Sequence, residues 1–192
     1  GVSNQGIIYN DHSTIVNESK FSNNSNTSNI YSLEGNGGVI YNGTSAIMEV
    51  VNSDFTGNSS VTGKGGAIYN DGDLKLTANS KKMSFKNNQD SSGANDVYVT
   101  AGKELKIEAI NNGQVSFESG IKGDTGGYDI AISGDTSGEV DFSAAVENVN
   151  KVSLANAQLK LANEAYLNNA SIDITLGTLN IANNSISSMN IA

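Results

Sequence analysis

The single histidine, His12, is the side chain whose ordinary pKa best suits proton transfer at neutral pH. It lies between Asp11 and Ser13, so the three residue types of a nucleophilic triad are adjacent in sequence. A working triad needs a nucleophile, a base and an orienting acid that converge in the fold, which adjacency does not provide. No G-x-S-x-G motif is present. We therefore interpret His12 as a surface residue in a polar turn.

The 20 acidic residues could supply the paired carboxylates that polysaccharide lyases and glycosidases use. Such a site needs two or more acidic groups on one face, often beside a basic partner. The acids are scattered singly along the chain, and none of its 11 basic residues is Arg. We expect the acids to lie in solvated turns and on outer faces.

Two segments rich in Asp and Gly, at residues 71–73 and 123–127, could act as calcium-binding turns. Calcium takes six to eight oxygen ligands, and the GGxGxDxUx nonapeptide is not matched. Asp and Gly are also the residues that tight turns require. We therefore predict ordinary turns, with no metal and no cofactor.

Three tyrosines, Tyr9, Tyr41 and Tyr69, recur 32 and 28 residues apart. Facing outward, they would form an aromatic strip suited to contact with sugar or protein. Facing inward, they would form a stacked ladder in the core. An inward or half-buried arrangement is favoured.

Composition limits the classes of partner. The net charge of −9 argues against nucleic acid, whose phosphates need clustered basic residues, and against anionic membranes. The chain has no Cys, which excludes disulfides and thiolate metal sites.

Tight alternation of Ile, Val and Leu predicts ordered β structure despite the many Asn, Ser and Gly residues. Because the chain opens in mid-repeat without an initiator Met, we expect it to be cut from a longer protein.

Two motifs recur in the same order with a period near 30 residues. GGAIYN at residues 65–70 has the relatives GGVIYN at 37–42 and QGIIYN at 5–10, and each is followed by FxxN. Recurrence in a fixed order indicates a repeat architecture. The two complete repeats are defined by Gly37, Gly38, Ile40, Tyr41, Asn42, Phe55, Asn58, Gly65, Gly66, Ile68, Tyr69, Asn70, Phe85 and Asn88.

The pattern of apolar and polar residues within each repeat predicts three short strands joined by polar turns. In the third repeat these strands are residues 67–69, 74–76 and 83–85. Residues 94–192 lose GGxIYN but keep alternating apolar pairs, from Val97/Val99 to Met189/Ile191. We expect residues 1–93 and 94–192 to form one continuous solenoid, with shorter and more degenerate repeats in the second part.

The predicted fold class is all-β, a solenoid with three short strands per turn. A sandwich has no reason to repeat a motif at constant period, and the strands are too short for a barrel wall. The Asn that follows each Phe or Tyr suits amide ladders along a solenoid axis. The best helical candidate, residues 154–167, contains the Leu159/Leu161 alternation, so we interpret it as a solenoid rung.

The GG(A/V)IYN and FxxN motifs resemble the repeat of autotransporter passenger domains of type V secretion, including the polymorphic outer-membrane protein and adhesin types. Residues 94–98 (ANDVY), 115–121 (VSFESGI), 158–163 (QLKLAN) and 177–184 (GTLNIANN) are similar to the steps that follow these repeats in such passengers. The resemblance covers nearly the whole chain.

The resemblance implies a right-handed parallel β-helix, secreted through a C-terminal outer-membrane barrel and displayed on a Gram-negative cell surface. It implies a non-enzymatic adhesin or stalk without catalytic residues. The implied partners are a protein or glycan on a host or neighbouring cell, or a second copy of the chain.

Two alternatives stay open, because fold alone does not settle function. One is a β-helical carbohydrate-active enzyme of the polysaccharide lyase or glycosidase kind, which three or more carboxylates in one groove would favour. The other is self-association between cells through Asn and Thr ladders along one side of the solenoid.

Overall fold

Short strands pair with their equivalents in the next repeat, and this pairing builds the molecule. The computed structural model describes residues 6–27, 29–30, 33–162, 167 and 170–181. The described residues form strands and turns, with no helix among them. The predicted all-β class is therefore confirmed. The predicted strand at Met189/Ile191 lies outside the described residues.

The first three repeats contribute four strands each, in the same order. The first contains β1 (Ile8–Asn10), β2 (Ser13–Asn17), β3 (Lys20–Ser22) and β4 (Ser25–Asn26), followed by the antiparallel pair β5 (Asn29–Ile30) and β6 (Leu33–Glu34). The second contains β7 (Ile40–Asn42), β8 (Ile47–Val51), β9 (Asp54–Thr56) and β10 (Ser59–Ser60). The third contains β11 (Ile68–Asn70), β12 (Asp73–Asn79), β13 (Lys82–Lys86) and β14 (Gln89–Asp90).

The remaining strands are longer on average and less regular. They are β15 (Gly93–Ala94), β16 (Val97–Val99), β17 (Glu104–Ile110), β18 (Gln114–Phe117), β19 (Ile121–Gly123), β20 (Tyr128–Gly134), β21 (Glu139–Phe142), β22 (Val149–Leu161) and β23 (Ser171–Ile181).

Equivalent strands lie side by side and parallel. One five-stranded sheet has the order β1-β7-β11-β16-β19, with the IYN residues of 40–42 opposite those of 68–70. A twelve-stranded sheet runs β2-β8-β12-β17-β20-β22 and returns through β21-β18-β13-β9-β3, with β23 beside β22. A small sheet contains β4, β10 and β14 in parallel, with β15 antiparallel at its edge. The register is continuous except for shifts in the β20–β22 and β22–β23 pairs, and parallel pairing of successive repeats is the pattern of a β-solenoid.

Strand β22 joins the two arms of the twelve-stranded sheet. Its first half pairs with β20 and its second half with β21, which in the preceding repeat are two strands separated by a turn. In β22 that turn is reduced to Asn156, which has a left-handed backbone with φ of 52°. The strand ends at Leu161, so residues 154–161 of the helical candidate are extended, as predicted.

The paired glycines of GGxIYN meet two different conformational needs. Gly37 and Gly65 have φ values of +73° and +74°, where glycine carries no steric penalty. Gly38 and Gly66 instead lie against the next repeat, and a Cβ atom on Gly38 would overlap the carbonyl oxygen of Gly66. The motif is therefore a left-handed turn followed by a close approach of two backbones.

The FxxN motif bends the chain so that its Phe and its Asn both enter the interior. The residue between them that makes the bend is Asn23, Gly57 or Asn87, with φ of 56°, 66° and 54° respectively. Asn and Gly are the residues that adopt this left-handed conformation most readily. The high Asn content of the chain thus reflects both bends and internal ladders.

The five phenylalanines form one column through the core. Their ring centroids are 5.0, 4.8, 4.9 and 5.7 Å apart in chain order, and the last pair is tilted by 58°. Buried Ile, Leu, Val and Met side chains surround the column. No single rung could bury enough apolar surface to offset its own ordering, so stability depends on stacking between neighbours. The column consists of Phe21, Phe55, Phe85, Phe117 and Phe142.

Candidate functional site

Most repeat-motif residues lie inside the solenoid. In one ladder, the side-chain Nδ2 of Asn10 donates to Asn42 Oδ1 at 2.8 Å, and Asn42 Nδ2 donates to Asn70 Oδ1 at 2.7 Å. A second ladder runs through Asn58 and Asn88. These bonds satisfy buried amides and hold the repeats in register. The apolar motif residues Ile40, Phe55, Ile68 and Phe85 are buried in the core.

The tyrosines of the motif are stacked on the outer face of the five-stranded sheet. Tyr9, Tyr41, Tyr69 and Tyr98 occupy one register position, with centroids 5.4, 5.1 and 5.8 Å apart and planes within 13°. Tyr9 is 49% exposed and Tyr98 only 8%. The rings are therefore outward and partly buried by one another, so the favoured prediction is right about half-burial and wrong about an inward core ladder. Stacking covers the ring faces of the two middle residues, so contact with a partner would use ring edges and hydroxyl groups.

A groove of about 480 Å³ opens where the tyrosine stack ends. Lys122 pairs with Tyr98 in the sheet. In the next repeat Val146 pairs with Ile121, so the residue after it, Glu147, occupies the position equivalent to Lys122. Side chains from two flanking turns complete the walls. The charged and aromatic residues that line the groove are Lys64, Asp90, Tyr98, Lys122, Asp124 and Glu147.

One wall of the groove is a hydrogen-bonded group of three side chains. Asp124 Oδ1 accepts from Tyr98 Oη at 2.6 Å and from Lys64 Nζ at 3.1 Å, and the Lys64 ammonium lies 4.5 Å from the centre of the Tyr98 ring. Partial burial opposes ionisation of Asp124, but the hydrogen bonds from Tyr98 and Lys64 hold its pKa below the usual range. Burial and donation to this carboxylate raise the pKa of Tyr98.

A second cation and a nearly inaccessible carboxylate also line the groove. Lys122 Nζ donates to Ser92 Oγ at 2.8 Å and lies 4.0 Å from Asp90 Oδ1. The Asp90 side chain is 2% exposed and accepts from Ser92 N, Ser92 Oγ and Asn95 Nδ2 at 2.6 to 2.8 Å. The Glu147 backbone N–H donates to Ile121 O at 2.9 Å, but its side chain makes no hydrogen bond or ion pair with any described residue. Its carboxylate is the uncommitted acceptor in the groove.

Three acidic residues thus share one groove, although the acids are scattered singly along the chain. Asp90, Asp124 and Glu147 are well separated in sequence, and the stacking of successive repeats brings them together. A carboxylic acid that donates a proton near neutral pH needs a raised pKa, whereas the pKa of Asp124 is lowered. The surroundings of Asp124 favour recognition over general-acid chemistry.

His12 lies at the surface, as predicted. Its Nδ1 atom is 2.7 Å from Asp11 Oδ1, and its side chain is 89% exposed. The hydrogen bond to Asp11 raises the pKa of His12. An imidazole in this position is too exposed to create the desolvated site that nucleophile activation requires.

The Asp- and Gly-rich turns link neighbouring repeats through hydrogen bonds. Asp71 accepts from the hydroxyl groups of Thr44 at 2.5 Å and Thr100 at 2.6 Å. Asp124 contributes to the groove wall described above. In the described part of the chain, no three His, Asp or Glu side chains come together in a way that could hold a metal ion.

A carboxylate lies fully buried at the end of the second Asn ladder. Asp96 has no exposed surface, and it accepts from Asn88 Nδ2 and from Ser119 N, both at 2.8 Å. Burial raises its pKa from 3.8 to about 7, against the opposing effect of these hydrogen bonds. The prediction that the acids lie in solvated turns and on outer faces is therefore wrong for Asp96, which is part of the ANDVY step at residues 94–98.

The raised pKa of Asp96 predicts that its contribution to stability is lost as pH increases. Between pH 4 and pH 7 the folded state binds the proton more tightly than the unfolded state, so the contribution is full below about pH 4 and fades through about pH 7. Urea unfolding at pH 5, 6 and 8 measures this slope. We expect Asp96→Asn to flatten the slope relative to wild type. Equal slopes in the two proteins would contradict the prediction.

Comparison of the chain with protein-family models, curated proteins and solved structures found no match in any of the three. Among the residues described, no helix is both long and apolar enough to cross a membrane.

Proposed function

We propose that this chain is a non-enzymatic passenger segment of a Gram-negative autotransporter, displayed on the cell surface as an adhesin or structural stalk. The observation that carries the proposal is the parallel, in-register pairing of successive repeats. Such pairing makes a stiff body that extends with every added repeat and satisfies its polar groups internally. Its outer faces are then available for contact. The resemblance of the GGxIYN and FxxN motifs to passenger repeats supplies the cellular setting.

In this proposal the chain winds as a right-handed parallel β-helix with three principal strands per turn. The series β1-β2-β3 recurs as β7-β8-β9 and β11-β12-β13, and a two-residue strand follows each series. Crossovers between parallel strands of one sheet are right-handed in about 98% of cases. A crystal structure of the chain tests the winding, and a left-handed coil would overturn this part of the proposal.

Adhesion is tested with beads that carry the purified chain through a terminal tag. Fluorescent beads are incubated with cultured epithelial cells, and attached beads are counted by flow cytometry. The matched control carries the same amount of heat-unfolded chain. We expect the folded chain to attach more beads per cell. Equal attachment of folded and unfolded chain would contradict the adhesive role but not the stalk role. The stalk role is tested separately by small-angle X-ray scattering, which would show an elongated particle.

The groove supports a second candidate, a β-helical carbohydrate-active enzyme. The observation that favours it is the presence of Asp90, Asp124 and Glu147 in one groove. Incubating the chain with neutral and acidic polysaccharides, followed by assays for new reducing ends and unsaturated sugar ends, distinguishes the two candidates. New ends that disappear in Glu147→Ala would establish the enzyme. Intact polymers would favour the adhesin.

A further inference from the structure

We propose that the groove beside Tyr98 binds a neutral saccharide through hydrogen bonds to its hydroxyl groups. This inference rests on the proposed adhesive function and specifies a site and a ligand class for it. The groove lies on the outer face of the five-stranded sheet, directly after the tyrosine stack. Its volume of about 480 Å³ is within the range of roughly 300–1,000 Å³ that small-molecule sites occupy.

The charges in the groove favour a neutral ligand over an anion. Two ammonium groups and three carboxylates line it, and each ammonium lies near a carboxylate: Lys64 at 3.1 Å from Asp124, and Lys122 at 4.0 Å from Asp90. An anion would meet a surplus carboxylate in a chain of net charge −9.

The groove also offers little to a cation. Asp124 and Asp90 each already lie near an ammonium group, so a cation would find only one other carboxylate, Glu147, and a single solvent-exposed ion pair contributes little free energy. The described residues also provide no group of three acids or histidine that could hold a metal ion.

The polar groups of the groove suit a ligand rich in hydroxyls. The Glu147 carboxylate has no partner among the described residues, so it can accept hydrogen bonds from a ligand. The side chain of Lys64 is 40% exposed and can donate. Ser91 and Thr125 are exposed and line the same groove, and the hydroxyl group of each can donate or accept a hydrogen bond. Sugar hydroxyls likewise both donate and accept, so each can pair with either kind of group.

Ring stacking is not the basis of this recognition. Tyr98 is only 8% exposed, and the Lys64 ammonium covers one face of its ring at 4.5 Å. A sugar therefore has little access to that aromatic face. Its binding depends on directional hydrogen bonds, which makes it sensitive to the loss of a single acceptor.

The test is an NMR titration of the isotope-labelled chain with five separate probes. Maltotriose, cellotriose and chitotriose are the neutral saccharides, trigalacturonic acid is the anion, and spermidine is the cation. We expect at least one neutral trisaccharide to shift the amide signals of residues 122–125 and 147–148. Shifts caused only by the anion or only by the cation would overturn the proposal, as would no shift with any probe.

Two variants test the site without disturbing the core. Glu147→Ala removes the uncommitted acceptor, and we expect affinity to fall by about tenfold or more, the effect of one charge-assisted hydrogen bond. Thr125→Trp fills the groove from an exposed turn, and we expect binding to be lost. The matched controls, Glu104→Ala and Thr136→Trp, change exposed residues outside the groove and should bind as wild type does. Unchanged affinity in both groove variants would overturn the proposal.

The bead assay separates failure of this inference from failure of the proposed function. If wild-type beads attach to cells and both groove variants attach equally well, the adhesive function stands and the saccharide groove is wrong. If a neutral trisaccharide binds in the groove but wild-type beads do not attach, the groove stands and the adhesive function is wrong.

Discussion

Replacement of Phe85 by alanine is expected to lower the free energy of unfolding by about 3–5 kcal/mol, the usual cost of removing a large aromatic side chain from a core. Phe85 has no exposed surface and stacks on Phe55 at 4.8 Å and on Phe117 at 4.9 Å. Its removal leaves a cavity and breaks the column in two. Neighbouring rungs then lose the contact through which they stabilise each other. Urea unfolding followed by far-UV circular dichroism measures the effect.

Phe21→Ala is the matched control for this prediction. Phe21 is at the end of the column, is partly exposed and, among the described residues, stacks only on Phe55. The same chemical deletion therefore removes less buried contact, and we expect a clearly smaller loss of stability. Equal losses in the two variants would show that stacking within the column does not set the stability.

Asn58→Leu is expected to lower the free energy of unfolding by about 2–4 kcal/mol, although leucine is more apolar and of similar size. Asn58 Oδ1 accepts from the Asn24 backbone and side chain, and Asn58 Nδ2 donates to Phe21 O at 3.1 Å and Asn88 Oδ1 at 3.0 Å. Leucine leaves several of these interior groups without a partner. Each such group costs about 1–3 kcal/mol when buried.

The control for the ladder is Asn79→Leu. Asn79 is exposed, and its side-chain oxygen accepts from Asn111 Nδ2 at the surface, where water can replace the bond. We expect a change within about 0.5 kcal/mol, typical of surface substitutions. Chemical denaturation of both variants, under one set of conditions, gives the comparison. A loss at Asn58 no larger than at Asn79 would rule out the ladder as a source of stability.

The sequence predicts the β class and the repeat because both depend on short-range patterns. Alternating apolar residues define the strands, and GGxIYN and FxxN place equivalent residues one period apart. Asn residues serve two purposes, as bends in the backbone and as members of the internal ladders, and only the ladders were predicted. A bend residue such as Asn87 and a ladder residue such as Asn88 are adjacent and identical in type, so the sequence does not distinguish them. Only the backbone conformation separates them. The continuous strand β22 was also missed, because one left-handed Asn replaces a visible turn.

The groove could not be predicted from the spacing of its residues. Lys64, Asp90 and Glu147 lie in different repeats, and their proximity depends on how turns project from successive rungs. One signal was present. Aligning the Val97-Tyr98 step with the IYN motifs would have extended the tyrosine column, and the next step would have placed Lys122 at the same position.

The tyrosine stack gives the molecule an internal optical probe. The chain contains no Trp, so its near-ultraviolet circular dichroism comes from 7 Tyr and 5 Phe residues. Four of those tyrosines stand in one column with neighbouring ring centroids 5.1 to 5.8 Å apart, close enough for the transitions of adjacent rings to couple. That signal reports the winding of the first four repeats, whereas the far-ultraviolet signal reports every strand. Melting curves at the two wavelengths therefore show whether the solenoid unwinds from one end or loses all its turns together.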